Sequence, residues 1–278
     1  MPDFLLCTDL DRTLLPNGEP PESPEARHWF SRIASRDDVH LAYVTGRDRS
    51  LVEEAIDHYQ LPTPDWLITD VGTSLYRFQQ GSWDRIADWD ARLERCWRGR
   101  SSKDLADVLT GLDELILQEP TKQGRYKLSF YHPPKAPSRA LKARIQQLLN
   151  NEGLNAKLVF SIDEASDVGL LDILPAVADK LQAVRFLIER NDYHPEQTLF
   201  AGDSGNDLEI LASEIPSVIV ANARGEVIQQ AKQLSSESNT LARLYVASGG
   251  FQGMNGNYSA GILEGLAHFH PRLISNFI

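Results

Sequence analysis

The chain has 278 residues, of which 42% are hydrophobic and 24% charged, and its formal net charge is −11. That length exceeds a typical single domain of roughly 100 to 150 residues, and the composition is that of a chain that folds, far from the polar, highly charged class that stays disordered. The acidic balance argues against nucleic acid or an anionic lipid surface as the main partner, because both are met with basic footprints; a phosphate ester held by a local cation stays admissible.

Two cysteines, Cys7 and Cys96, are too few for a disulfide framework, and Cys7 lies in an apolar run. No run of about 18 apolar residues is present, and Met1-Pro2-Asp3 lacks the basic start of a signal peptide, so a cytoplasmic chain without a membrane span is expected.

In chain order, Phe4 to Thr8 is a short, mostly apolar run that meets acidic residues at Asp9, the pattern of a buried parallel strand ending at a functional edge. After the Pro- and Gly-rich turn Pro16 to Pro21, Ser23 as N-cap and Pro24 at the first helical position predict a helix to about Ser35. His40 to Val44 is the next strand, and Thr45-Gly46-Arg47 opens a helix to about Tyr59. Trp66 to Thr69 and Ser74 to Phe78 follow as strands.

From Gln79 the alternation breaks down. Trp83, Trp89 and Trp97, read as packing residues, precede a helix Lys103 to Leu115, a strand Tyr126 to Tyr131, a helix near Ser138 to Asn150 and a strand Lys157 to Ile162. A strand Leu170 to Leu174, a helix Lys180 to Arg190, a strand Thr198 to Ala201, a helix Leu208 to Ser213 and a strand Val218 to Val220 then resume it, with Ser235 to Asn239 read as a solvated loop. The expected fold is therefore α/β, with a doubly wound, Rossmann-like parallel-sheet core formed by residues 1–78 and 170–278 and an α+β module inserted at 79–169.

Polar clusters fall where strands end: Asp9 and Asp11, Thr45, and Asp203 with Asp207. Ligands of open α/β sheets bind at that edge, so these residues converge. Four carboxylates in one crevice repel one another unless a cation neutralises them, and an all-oxygen donor set points to magnesium, with Asp9, Asp11, Asp203 and Asp207 as its candidate ligands. Phosphoryl transfer needs an in-line nucleophile, an acid for the departing alkoxide and donors to the phosphoryl oxygens. Asp9, Asp11, and Thr45 with Lys180 are the candidates for those three roles. Taken singly, each has a plainer reading: helix-terminal acids, a capping threonine, an exposed lysine.

Together, Asp9-Leu10-Asp11-Arg12-Thr13, Thr45-Gly46-Arg47, Lys180 and Gly202-Asp203-Ser204-Gly205-Asn206-Asp207 resemble, in order and spacing, the four motifs of haloacid dehalogenase-type phosphatases. Further segments, Val71 to Tyr76, Lys127 to Tyr131, Leu171 to Pro175 and Ala260 to Phe269, are similar to those of sucrose-phosphate phosphatases, so the resemblance runs from Leu5 to Phe269. It implies magnesium-dependent hydrolysis of sucrose 6-phosphate through an aspartyl-phosphate on Asp9, a module that closes as a cap, and a sucrose-phosphate synthase as a conceivable partner of a monomeric enzyme. It also implies Gly46, Arg47, Ser204 and Asn206, and in the cap Gln118, Gln123, Lys127, Ser129, Tyr131 and Asp172, as substrate contacts. The chain departs from the family at Ala176-Val177-Ala178-Asp179, where glycines are usual, and in the added segment Ser248 to Asn257. A phosphatase for another glycoside phosphate such as mannosylfructose phosphate or a glycosylglycerate phosphate, a phosphomutase, and a non-catalytic partner of a glycosyltransferase stay open.

Overall fold

A computed structural model describes residues 4–133, 139–163 and 168–275. Contacts divide the chain into one unit formed by Met1–Arg85 with Lys180–Ile278 and a second formed by Ile86–Asp179. The strands in chain order are β1 (Phe4–Thr8), β2 (Val39–Val44), β3 (Trp66–Thr69), β4 (Ser74–Gln79), β5 (Ser82–Arg85) and β6 (Ile116–Leu117). They continue with β7 (Leu128–His132), β8 (Ala156–Asp163), β9 (Val168–Pro175), β10 (Thr198–Gly202), β11 (Ser217–Ile219) and β12 (Leu244–Val246).

In the first unit eight strands form one sheet in the order β12-β11-β10-β1-β2-β3-β4-β5. All neighbours from β12 to β3 are parallel, and β4 and β5 extend the edge as antiparallel strands. Every residue of β1 is buried, which is why its sequence is a continuous apolar run and shows no alternation. One face packs Leu6, Leu41, Tyr43, Leu199 and Val218 against Phe30 and Ile33 of the helix Ala26–Ala34 and against Ile262, Leu263 and Leu266 of the helix Ser259–Phe269. Each such side chain contributes about 1.5 to 3 kcal/mol by leaving water. Helix Ser259–Phe269 lies close on the sheet because a Cβ at Gly265 would come within 2.6 Å of Val218 and one at Gly261 within 2.9 Å of Val220.

The second unit carries a four-stranded antiparallel sheet, β6-β7-β9-β8, with helices Ala87–Cys96, Ser102–Val108 and Arg139–Asn151. Trp89 and Trp97 are buried packing residues, and Trp97 meets the Tyr126 ring at 6.0 Å. Trp83 belongs to β5 of the first unit, where it packs against Phe78 at 4.9 Å.

Several expected boundaries differ. The contacts divide the chain after Arg85 and after Asp179, not at 78/79 and 169/170: β5 pairs with β4, and β9 pairs with β7 and β8, so Leu170 to Leu174 belongs to the inserted unit's sheet. The helix expected over Lys103 to Leu115 ends at Val108, ahead of Gly111 at φ +95°, a left-handed backbone that stops a helix. Ser23 does not cap the first helix, which begins at Ala26 behind Glu25; its hydroxyl accepts from Asn255 N. Ser235 to Glu237 close the helix Gly225–Glu237 and are not loop. Ser138, the expected start of a helix, lies outside the described residues, and that helix is described from Arg139. No described helix is long and apolar enough to cross a membrane.

Candidate active site

The sheet order reverses at β1, whose parallel neighbours are β2 on one side and β10 on the other. A crevice forms outside the carboxyl ends of strands at such a switch point, and three of the expected clusters emerge there. Asp9 follows β1 and its N–H donates to Ala201 O at 2.9 Å. Thr45 follows β2 and donates its N–H to Ile68 O; Asp203 follows β10. Gly202 is required by close approach, since a Cβ there would lie 2.8 Å from the Asp207 carboxylate.

Lys180, at the start of the helix Lys180–Arg190, is 1% exposed. Its Nζ donates to Asp207 Oδ1 at 2.7 Å and to Asp9 Oδ1 at 3.0 Å. Asp207 Oδ2 in turn accepts from the N–H groups of Asp203 and Ser204, at 3.2 and 3.1 Å. Burial raises the Asp9 pKa to about 8, with Lys180 opposing and Asp207 adding to the rise. Burial and Asp207 likewise raise Asp203 to about 6, against Thr13 and Arg12. Desolvation works against the lysine's charge, but Asp207 and Asp9 outweigh it and keep Lys180 protonated.

Asp9, Asp203 and Asp207 are all buried, and each offers a carboxylate oxygen within 4.8 Å of the others'. Lys180 and Arg12 face them, Arg12 Nε lying 3.3 Å from Asp203 Oδ2. Three carboxylates against two cations leave surplus negative charge, and the upward shifts of Asp9 and Asp203 come first from burial, with the neighbouring Asp207 charge adding to both. An all-oxygen set of this kind suits a hard divalent cation.

The Asp11 side chain is outside that group. Arg47 grips its carboxylate from two sides, Nη2 to Oδ1 at 2.6 Å and Nε to Oδ2 at 2.8 Å, and Asn17 Nδ2 donates to Oδ1 at 2.7 Å. Desolvation pushes the Asp11 pKa upward, yet the hydrogen bonds and charge of Arg47 outweigh it and hold it below the usual carboxylate value. Thr45 is fully buried and its hydroxyl accepts from Arg47 N at 3.2 Å; the cap of the following helix is Asp48, whose carboxylate accepts from Leu51 N. Gly46 and Asn206 are exposed, and the Ser204 hydroxyl lies 2.9 Å from Asn206 Oδ1 and 3.0 Å from Asp207 Oδ2.

The remaining expected contacts lie in the inserted unit. Gln118 and Gln123 are committed to backbone: Gln118 Nε2 donates to Phe130 O, and Gln123 Nε2 donates to the carbonyls of Gln118 and Ser129 while its Oε1 accepts from Ser129 N. The Ser129 hydroxyl meets Asp172 Oδ1 at 2.5 Å, across the register that pairs β7 with β9. Tyr131 Oη donates to Glu119. Half-buried Lys127 makes no hydrogen bond or ion pair among the described residues through its ammonium.

Sequence reasoning did not single out Asn17 or Asn222, which with Arg12 of the first motif hold the loop after β1, and it quoted the segment from Val71 without a role for the strained turn after β3. There Asp70 and the β-branched Val71 both have left-handed backbone, at φ 52° and 58°, and donate their N–H groups to Arg47 O and Thr45 O. Such strain persists only where the surroundings over-determine it. The available signal was weak: Asn222 lies three residues beyond β11 and Arg12 four beyond β1, whereas Asn17, nine beyond, lies in the turn that follows.

The sequence from residue 2 to 270 matches the family model described as sucrose-6F-phosphate phosphohydrolase. A protein of Nitrosococcus oceani described as a HAD-like hydrolase is 49% identical over 96% of this chain and 72% of its own length. Sucrose-phosphatase 1 of Nicotiana tabacum is 28% identical over 96% of this chain; the chain spans 59% of the tobacco protein. Among solved structures, the sucrose-phosphatase of Synechocystis in complex with sucrose and phosphate superposes with a TM-score of 0.74 at 27% identity, covering 97% of this chain and 98% of that one. A match of the family model over almost the whole length, joined to the four motif segments meeting as described, places the chain in the sucrose-6F-phosphate phosphohydrolase family, a family of phosphoric monoester hydrolases.

Proposed function

We propose that the chain hydrolyses a sugar phosphate, sucrose 6-phosphate first among them, through a phosphoryl group carried transiently on Asp9. The observation that carries this reading is the buried cluster of Asp9, Lys180, Asp203 and Asp207 at the carboxyl ends of β1 and β10. Magnesium, held by Asp9, Asp203 and Asp207 with the Asp11 segment beside them, would supply charge screening between the nucleophile and the phosphate oxygens.

An Asp9 carboxylate oxygen attacks phosphorus as the bond to the sugar oxygen breaks, and Asp11, which takes up a proton from solvent once it has left Arg47, delivers that proton to the departing alkoxide. Asp11 then takes a proton from water, whose oxygen attacks the aspartyl-phosphate and frees phosphate, restoring both carboxyl groups. Because Arg47 and Asn17 grip Asp11 in the structure, Asp11 must turn from that grip to reach the leaving oxygen. Thr45 and Lys180 contribute donors to the phosphoryl oxygens, and Arg47, released from Asp11, supplies a fork suited to phosphate. The inserted unit acts as the substrate-reading cap, with Lys127 as a charged donor to the sugar phosphate.

The sucrose and phosphate named with the Synechocystis structure support the choice of sugar. A second reading, another glycoside phosphate, draws on a glucosylglycerol-phosphate synthase of Pseudomonas anguilliseptica that is 30% identical over 84% of this chain, which spans 28% of that protein. Phosphate release from sucrose 6-phosphate beside a panel of glycoside phosphates, with magnesium and with a chelator, separates the two. Preference for sucrose 6-phosphate that chelation abolishes is the expected result; preference for another ester moves the substrate, and no release from any ester sinks the mechanism.

A further inference from the structure

We propose that Asn222 is a positioning residue for the phosphoryl-transfer centre: it fixes Arg12, and through Arg12 the Asp203 carboxylate, and so sets how tightly the acidic cluster holds its divalent cation. The proposal rests on the functional reading above.

Asn222 lies just beyond β11, at the same sheet edge as Asp9 and Asp203, and is 8% exposed. Its amide bridges two strained backbones. Nδ2 donates to Arg12 O at 2.6 Å, and Oδ1 accepts from Tyr258 N at 2.9 Å. Arg12 and Tyr258 both have left-handed φ, 59° and 52°, a region in which non-glycine residues need support from their surroundings. Arg12 Nη2 returns a hydrogen bond to Asn222 O at 3.3 Å, while its Nε lies 3.3 Å from Asp203 Oδ2. The next residue, Thr13, donates its hydroxyl to Asp203 Oδ1 at 3.1 Å. Both oxygens of Asp203 are therefore oriented by the loop whose carbonyl Asn222 pins. Loss of a group that orients a metal-binding carboxylate in this way typically costs about 10- to 100-fold in metal affinity.

The added segment Ser248 to Asn257 forms the frame behind Asn222. Ala221 N donates to Gly256 O, and at Gly256 a Cβ would come within 2.7 Å of Gly249 N, so this packing admits no side chain. The buried Glu264 carboxylate accepts from Ser248 N, Gly249 N and Tyr245 Oη at 2.8 to 2.9 Å. Asn255 Nδ2 donates to Pro21 O, tying the segment to the turn that leaves the Asp9 loop.

The test is calorimetric titration of magnesium into the whole chain, for the unsubstituted protein, Asn222→Asp, Arg12→Lys and the double variant, with thermal midpoints recorded. Asn222→Asp keeps the acceptor for Tyr258 N but sets a second acceptor against Arg12 O; Arg12→Lys keeps the charge and loses the fork. Each single variant is expected to weaken magnesium binding by roughly 10-fold or more at unchanged stoichiometry, and the double variant to be about as weak as the weaker single one. A purely structural role would lower the fraction of binding-competent molecules and leave the affinity of the rest unchanged. Unchanged affinity, or losses that simply add, would overturn the proposal while leaving the functional reading intact. No magnesium binding by the unsubstituted chain would overturn that reading and this proposal with it.

Discussion

In the first unit Lys180 sets its ammonium between Asp9 and Asp207, charge against charge in a buried crevice, whereas in the inserted unit Gln123 sets its amide on the backbone of Gln118 and Ser129. The first arrangement stores electrostatic free energy that a bound phosphoryl group and cation can redirect. The second commits both amide hydrogens and the amide oxygen of a neutral group to backbone partners. Residues that look alike as polar positions in a motif thus divide into charged groups buried against one another and amides committed to the backbone. Local dielectric decides the consequence, since an unbalanced charge in a dry site is costly whereas a satisfied amide is quiet.

The comparison predicts its largest effect at Asp9. Asp9→Asn keeps the shape of the side chain and removes the nucleophilic oxygen, so phosphate release is expected to fall at least about a thousandfold with the circular dichroism spectrum unchanged. Activity within tenfold of the unsubstituted chain would remove Asp9 from the nucleophile's role.

Next comes Lys180→Met, which fills similar volume and leaves Asp9 and Asp207 facing each other without their shared cation. Turnover is expected to drop by about 100- to 1,000-fold through lost donors to the phosphoryl oxygens. The fold is expected to lose about 3 kcal/mol in chemical denaturation, the typical cost of breaking a buried ion pair from one side. Added magnesium should restore more stability to the variant than it adds to the unsubstituted chain, since the cation then offsets charge that Lys180 no longer does. Equal stabilisation of both would show that lysine and cation do not share that charge.

What was legible in the sequence follows the same division. Asp9, Thr45, Asp203 and Asp207 were readable because a parallel sheet brings strand ends together, and Lys180 only through its place in the order of the other motifs. Bonds that cross the fold left no such trace. The Arg47 grip on Asp11 joins residues 36 apart and the Arg12 contact with Asn222 residues 210 apart. Strand β9 read as part of the core because a helix follows it, yet its partners are β7 and β8. The helix over Lys103 to Leu115 was overextended because Leu105, Leu109 and Leu112 keep a helical spacing past the point where Gly111 turns the backbone left-handed. Periodicity reports which side chains are buried and is silent on which element buries them.

The smallest effect is also the most discriminating, because it sets two residues of the inserted unit against each other. Gln123→Ala leaves Ser129 N without its partner and withdraws a donor from the Gln118 and Ser129 carbonyls; the expected result is a stability loss of about 1 to 3 kcal/mol. Lys127→Ala removes an ammonium with no ion-pair partner among the described residues, so stability should change by less than about 0.5 kcal/mol. Their kinetics should reverse: Lys127→Ala raises KM for the sugar phosphate several-fold at similar kcat, and Gln123→Ala acts mainly by lowering the folded fraction. Hydrolysis of a small aryl phosphate, which has no sugar to read, should be nearly untouched by Lys127→Ala. Were Gln123→Ala to change the ranking of sugar phosphates without lowering the melting temperature, its amide would be a direct reader of the substrate, and the division between the charged site and the committed amides would fail at that residue.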